Sequence, residues 1–408
     1  MTEAIRVTVT LDEPMAARQA RAHFHQDTHD HVPGTVFRGA LAAAWIRHHG
    51  PPSTDDTEFA EIFEGEGSFG PLHSAASLPV PISVKTHKYE PSKDCKQLWW
   101  DRATDGNADI CDCCGEKLES SKGVTNGAVA RDSRTRASLD TSGVAEDGKL
   151  FNQSTLPART RLHGWVYGPA VRALHLDGEP IDALLLGGGR SVRGRATVDL
   201  DTDTEPDPVE QDGTVIVLRL AGPGIFVDGL GMPSECPDTT ELAEVLGVDH
   251  VDIEDKWTRW EEVGGWHAAS GLPKPTERVI AAGSTYRLRC SETASEAARR
   301  TLMARGVGLR RREGFGALYR MPEPPRGLPD WKGTVAPLRG HKKFPILIRA
   351  LRKRTQQVRQ GRQDDSIFRQ ELDPARNSAK IIAALEGLLS VTDADRYNQI
   401  LDYLEYDQ

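Results

Sequence analysis

The 408-residue chain has no apolar run near the ~20 residues that a bilayer-spanning helix requires. Its first six residues lack the charged segment followed by an apolar one that marks a secretory leader. These two absences predict a soluble, cytoplasmic protein with no membrane partner. Cysteine is sparse as well. Of the six present, Cys95, Cys111, Cys113 and Cys114 fall close together, which does not match a disulfide framework spread through an exported domain. Neither Gly187–Gly194 nor Gly306–Gly316 is followed by Lys-Ser/Thr or has the Gly-x-Gly-x-x-Gly spacing that opens a helix after a βαβ strand, so these stretches do not indicate nucleotide-loop or dinucleotide chemistry. A positive overall charge is also missing. The formal net charge of −9 argues against a nonspecific coat on nucleic acid. It leaves room for a local basic groove, because attraction to phosphate acts within a Debye length of ~8 Å.

What the chain does have is a dense loop from Gly306 to Gly316, with four glycines, the arginine triplet Arg310, Arg311 and Arg312, and Phe315. Glycine permits positive φ and close backbone approach. Arginine forks match phosphate oxygens, and a phenylalanine face can carry a stacked base. The pattern predicts a loop that wraps a nucleic-acid backbone, with a mobile, solvated loop as the alternative. A weaker copy, Gly187 to Gly194 with Gly188, Arg190 and Arg193, again follows an apolar run, about 120 residues upstream. Two loops of one type suggest a duplicated domain.

The order of elements fits duplication. Ile5, Val7, Val9 and Leu11 alternate with polar residues as a half-buried strand. Pro33-Gly34 punctuates a polar loop, and Thr35 is the expected N-cap of a helix over 37–48. Strand, loop, helix is the opening of a ferredoxin-like unit. A segment over about 79–160 reads as an insertion, and His163 to Tyr167 as a core strand. Acidic, proline-containing residues 201–213 read as a solvated linker. A second domain then runs over 214–325, with a strand from Val215, a helix over 239–246, a strand over 284–289, a helix over 294–304 and a strand over 317–320. Trp257, Trp260 and Trp266 are read as packing residues, with base stacking as the alternative.

Cys111-x-x-Cys114-Gly has the form of a zinc-knuckle turn. Tetrahedral Zn2+ needs two more ligands. His87 and Cys95 are the natural upstream pair, while Cys113 could replace one member. Four protein ligands leave no open position, so such a site is structural. A separate polar cluster, His23, His25, Asp27, His29, Asp30 and His31, precedes Pro33. It can be read as a solvated loop, a metal site, or a place where Asp30 or Asp27 acts in catalysis. Beyond a Pro/Arg linker, residues 342–362 carry Lys342, Lys343, Arg349, Arg352, Lys353, Arg354, Arg359 and Arg362 without an acid. With apolar residues near helical spacing, this is an amphipathic basic helix. RNA, an acidic neighbouring subunit and bare solvent are all open as its partner. Further helices over 379–389 and 396–404 complete a helical extension over 330–408.

Several of these motifs, in this order, resemble the RAMP superfamily of type III CRISPR effector subunits, closest to the large RAMP subunit of type III-D systems. His31 to Ala42 is similar to that family's Pro-Gly…Arg-Gly strand-to-helix signature, Arg134 to Phe151 to its middle segment, and the two glycine-rich loops complete the set. The match spans about residues 5–320. The resemblance implies an α+β fold of two ferredoxin-like (RRM-like) domains, the first over 1–200, with a zinc-binding insertion and a helical C-terminal tail. It implies a basic β-hairpin thumb around Arg131, Arg134, Arg136 and Lys149. It further implies a crRNA-binding subunit that holds the guide near its 5′ tag, caps the filament, and meets target RNA, other RAMP subunits and the large multidomain subunit. Arg38, Arg190, Arg193, Arg310, Arg311 and Arg312 are the expected phosphate contacts. Gly188, Gly306, Gly308, Gly314 and Gly316 permit close approach, and Phe315 stacks. Backbone subunits of the same superfamily cleave target RNA, so Asp30 or Asp27 with Mg2+ is the enzymatic alternative.

Overall fold

The computed structural model describes residues 4–17, 25–74, 77–88, 95, 99–106, 108–120, 131–139, 141–187, 194–267, 272–321, 335–359, 368, 370–373, 376–389, 397, 400–401 and 403–404. The chain divides into two compact units, Met1–Pro322 and Glu323–Gln408.

The larger unit is α+β and holds two main antiparallel sheets. In its first half the strand Ala4–Leu11 lies between Arg161–Tyr167 and Arg195–Asp201, with Ser68–Phe69 beyond Arg161–Tyr167, all antiparallel. Taking these as strands one to four by sequence, the order is 2-3-1-4, that of a ferredoxin-like unit. In the second half Val215–Arg219 pairs with Thr285–Cys290, which pairs with Val251–Trp257. The place beside Val215–Arg219 is filled by Glu210–Asp212, with Leu318 bridging Leu220 just past the strand's end.

The helix Gly34–His49 buries Phe37, Ala40, Leu41, Ala44 and Trp45, the i, i+3, i+4, i+7, i+8 stripe of a core-facing helix. Arg47, His48 and His49 occupy its last turn, where the helix dipole favours cations. The helix starts at Gly34, with Pro33 rather than Thr35 as N-cap and no side-chain cap bond. The helix positions of the second half are filled by Thr239–Leu246, capped by the Asp238 carboxylate, and Glu296–Arg305, capped by Ser295 Oγ. Where the first half would carry its second helix, Gly168–Leu174 forms a 3-10 turn.

Each half has its own apolar core, one around Val7, Val9, Phe37 and Leu162, the other around Leu218, Tyr286, Leu288 and Leu302. The insertion contributes a three-stranded sheet, Val84–His87 between Trp99–Asp101 and Leu118–Ser120, and a hairpin, Asp132–Leu139 with Ala145–Thr155. A second hairpin, Trp260–His267 with Leu272–Ile280, rises between the second and third strands of the second half. The smaller unit is helical, with Phe344–Arg359 and Ala379–Leu389 sharing a core that includes Leu347, Leu351, Leu385 and Leu388.

A second expectation also needs correction. Residues 201–213 are not a bare solvated linker. Glu210–Asp212 pairs as an edge strand with Val215–Val217, and Val209 is buried.

Candidate nucleic-acid interface and metal centre

The glycine–arginine loop begins where Gly306, at φ 77°, ends the helix Glu296–Arg305. Arg310 itself takes the left-handed conformation, φ 55°. The loop folds onto the N-terminus of the helix Gly34–His49. A Cβ at Gly34 would sit 2.6 Å from Gly314 Cα, and one at Gly316 would meet the Val307 carbonyl at 1.7 Å. The close approach that glycine permits is therefore to the chain's own backbone, and it joins the loop to the first half. The loop leads into the stretch where Leu318 bridges Leu220. Gly188, Arg190 and Arg193 lie outside the described residues.

Carboxylates from both halves converge on the arginines. Arg310 makes a two-pronged pair with Glu313 at 2.7 and 2.8 Å, and also bonds Glu277. Arg311 donates to Glu241 at 2.7 Å and to the Gly308 carbonyl at 2.8 Å, and reaches Glu66 at 3.3 Å. Arg312 donates to the Glu64 carbonyl at 2.6 Å. Arg38 donates to the Phe63 carbonyl at 2.8 and 3.0 Å and pairs with Glu64. Burial would raise the Glu313 pKa, but hydrogen bonds from Arg310 and Lys274 outweigh it and bring it down to about 2.

Phe315 does not offer a face to a base in this chain. It is 6% exposed, and the Arg310 guanidinium lies 4.9 Å over its ring. Of the three arginines Arg312 is the most accessible, while Arg310 and Arg311 are largely covered. The Arg312 side chain is 39% exposed, and Arg311's exposed partner Glu66 is 89% exposed. The arrangement is a rack of oriented guanidinium groups held by acids, some of which water already reaches.

The polar cluster before Pro33 is only partly described; His23 and the His25 side chain fall outside it. His31 Nδ1 lies 2.9 Å from the Asp30 carboxylate, and its ring stacks on His73 at 4.4 Å. Burial alone would raise the Asp30 pKa, but the His31 hydrogen bond and charge hold it below the usual carboxylate range. Burial depresses His73 to about 3 and His29 to about 4. Asp27 is exposed. Asp30 is thus engaged in a local hydrogen bond with His31.

The insertion brings His87, Cys95, Cys111 and Cys114 together, their ligand atoms all within 4.8 Å of one another. His87 Nε2 is 3.2 Å from Cys114 Sγ and 3.6 Å from Cys95 Sγ, and Cys95 Sγ is 3.7 Å from Cys111 Sγ. Tetrahedral zinc with Zn–S bonds of about 2.3 Å places sulfurs about 3.8 Å apart, so the donor set fits a structural metal such as zinc. Cys113 is exposed and outside the set. The turn is held by Gly115 N donating to Cys111 O at 2.8 Å, with Gly115 at φ 72°.

This insertion is fastened to the second half by a buried charge cluster that the sequence reading passed over. Arg219, 2% exposed, pairs with Asp101 at 2.7 Å and with Glu210 at 2.5 Å. An arginine inside the buried run Val215–Leu220 was the available signal, since a buried guanidinium demands carboxylates. Arg102 and Arg287 add bonds to the Ile82, Ser83 and Ala103 carbonyls. Trp257 and Trp260 lie under Arg102 and Arg278, and Trp260 Nε1 donates to Glu235. The Trp266 side chain and those of Arg134, Arg136 and Lys149 lie outside the described residues.

Two antiparallel sheets with separate cores, a glycine–arginine loop and a His/Cys3 donor set define an α+β protein. The family described as CRISPR-associated protein (Cas_Cmr3) matches residues 113–323, just over half of the chain, and the chain belongs to that family. No curated protein matches it in sequence. Among solved structures it is similar to a chain of the type III-B Cmr-beta complex bound to cognate target RNA and AMPPnP, at 13% identity over 69% of this chain and 86% of that one, TM-score 0.36. It is also similar to a RAMP protein binding different RNA substrates, at 10% identity over 79% and 100%, TM-score 0.33. A Cas6-related protein from Pyrococcus furiosus matches at 8% identity over 79% and 100%, TM-score 0.30.

Proposed function

We propose that this chain is a structural, crRNA-binding subunit of a type III CRISPR effector complex, the counterpart of the large RAMP subunit of type III-D systems. It holds the guide near its 5′ tag and caps the filament beside the large multidomain subunit, with other RAMP subunits and target RNA as its remaining partners. The observation that carries this reading is the family match over 113–323, which takes in the complete glycine–arginine loop.

Chemically, the loop supports it. Arg310, Arg311, Arg312 and Arg38 are held with their forks ordered, so little side-chain freedom remains to be lost on binding. A phosphate replaces the most exposed carboxylate contacts, those of Glu66 and Glu64, while the inner bonds to Glu313 and Glu241 keep the rack in place. Gly306, Gly308, Gly314 and Gly316 serve this by joining the loop to the first helix. Gly188, Arg190 and Arg193 supply the matching contact from the first half. His87, Cys95, Cys111 and Cys114 hold Zn2+, which fixes the insertion and takes no part in chemistry. With Asp30 tied to His31, cleavage of RNA with Mg2+ gains no support from the geometry.

The test is crRNA binding by the assembled complex across salt. Replacing Arg311 and Arg312 by alanine is expected to weaken binding roughly tenfold and to lower the slope of log K against log salt by about 0.7 per lost phosphate contact on a single strand. Unchanged affinity and slope would overturn the assignment of this loop.

A further inference from the structure

We infer that the C-terminal unit is a second RNA-binding module, which grips the backbone of a single strand with one face of the helix Phe344–Arg359. The family match ends at residue 323, and the compact unit begins at Glu323. The unit is therefore an addition to the family's matched region, with a core of its own.

The structure sorts the basic residues of this segment by face. Arg354 is 1% exposed; it donates to the Leu389 carbonyl at 2.7 Å and lies 5.2 Å from the Tyr397 ring, so it belongs to the core. Leu347, Ile348 and Leu351 are buried beside it. Ile346, Arg349 and Lys353 are exposed, and their spacing of three and four residues puts them in one row on the opposite side. Lys342 and Lys343, also exposed, stand in the turn that leads into the helix. None of these four cations is paired with a described carboxylate. At a rise of about 1.5 Å per residue, Arg349 and Lys353 are about 6 Å apart along the helix, a spacing suited to successive phosphates of an extended strand.

The composition of the face selects its occupant. Protein interfaces deplete lysine and are anchored by buried aromatic or apolar groups. Here the row carries lysine and arginine, and Ile346 is the only large apolar side chain the described part of this unit exposes, at 62%. A surface of that kind complements a phosphate backbone better than an acidic protein. The choice of RNA among polyanions rests on the function proposed above.

The experiment uses the full chain and an oligouridylate probe, with binding followed by fluorescence anisotropy at several salt concentrations. Arg349→Glu with Lys353→Glu is compared with wild type, with the conservative Arg349→Lys, and with the Arg311→Ala, Arg312→Ala pair. The expected result is roughly tenfold weaker binding and a shallower salt slope for the charge reversal, near-normal binding for Arg349→Lys, and unchanged thermal unfolding for both. Wild-type affinity in the charge-reversed chain overturns the inference. If the loop pair is weakened in that same experiment, the proposed function stands without it; if neither set is weakened, both fall. A charge-reversed chain that binds the probe normally but no longer assembles with the other subunits would assign the face to an acidic protein and overturn the inference too.

Discussion

At Gly314 the backbone holds φ at 84°, and a methyl group added there would come within 2.7 Å of Gly34 Cα and 2.8 Å of the Phe69 carbonyl. Both obstacles are backbone, which cannot swing aside. Gly314→Ala is expected to lose about 2 kcal/mol or more of stability in denaturant unfolding. Gly39 provides the contrast. It is exposed in the middle of the first helix with nothing within 4 Å of an added Cβ, so Gly39→Ala is expected to be neutral or to gain up to ~1 kcal/mol. Equal effects at the two glycines would show that the loop does not dock on that helix. At this scale the sequence was legible where chemistry is local. The glycines announced a strained loop, and the arginines announced a need for anions. Which anions could not be read, because Glu64, Glu66, Glu241 and Glu277 are brought to the loop from distant parts of the chain.

Among the elements, the insertion shows both the reach and the boundary of sequence reading. Cys111-x-x-Cys114 is a short-range geometric device, and the upstream pair His87 and Cys95 follows from the need to complete a tetrahedron. The choice between Cys113 and the other thiols depends on which way the turn faces, and that required the structure. Zinc analysis of the purified chain is expected to give one metal per chain, retained in Cys113→Ser and lost in Cys111→Ser. Limited proteolysis of Cys111→Ser is expected to cut within 84–120 before the ferredoxin-like halves are attacked. Full zinc content in Cys111→Ser would contradict the ligand set. The edge strand Glu210–Asp212 was read as a solvated linker because its acids look like solubilising charge. Only the buried Arg219, at the far side of a strand pair, explains why Glu210 is there.

For the whole molecule, the sequence points to more than one strand-and-helix unit, and the structure has two main antiparallel sheets, each with its own apolar core. The substitution of a 3-10 turn for the second helix of the first half was not legible. Gly168, at φ 66°, and Pro169 open that turn. None of the described helices is long and apolar enough to cross a membrane. On the proposed reading, the ordered arginines of this scaffold take a polyanion. Photocrosslinking tests that most directly, with a crRNA carrying 4-thiouridine in its 5′ tag, assembled into the complex and analysed by mass spectrometry. The predicted result is crosslinked peptides from this chain that contain residues 306–316 or the neighbouring first helix at Arg38. Crosslinks confined to other subunits, with both segments untouched, would contradict it.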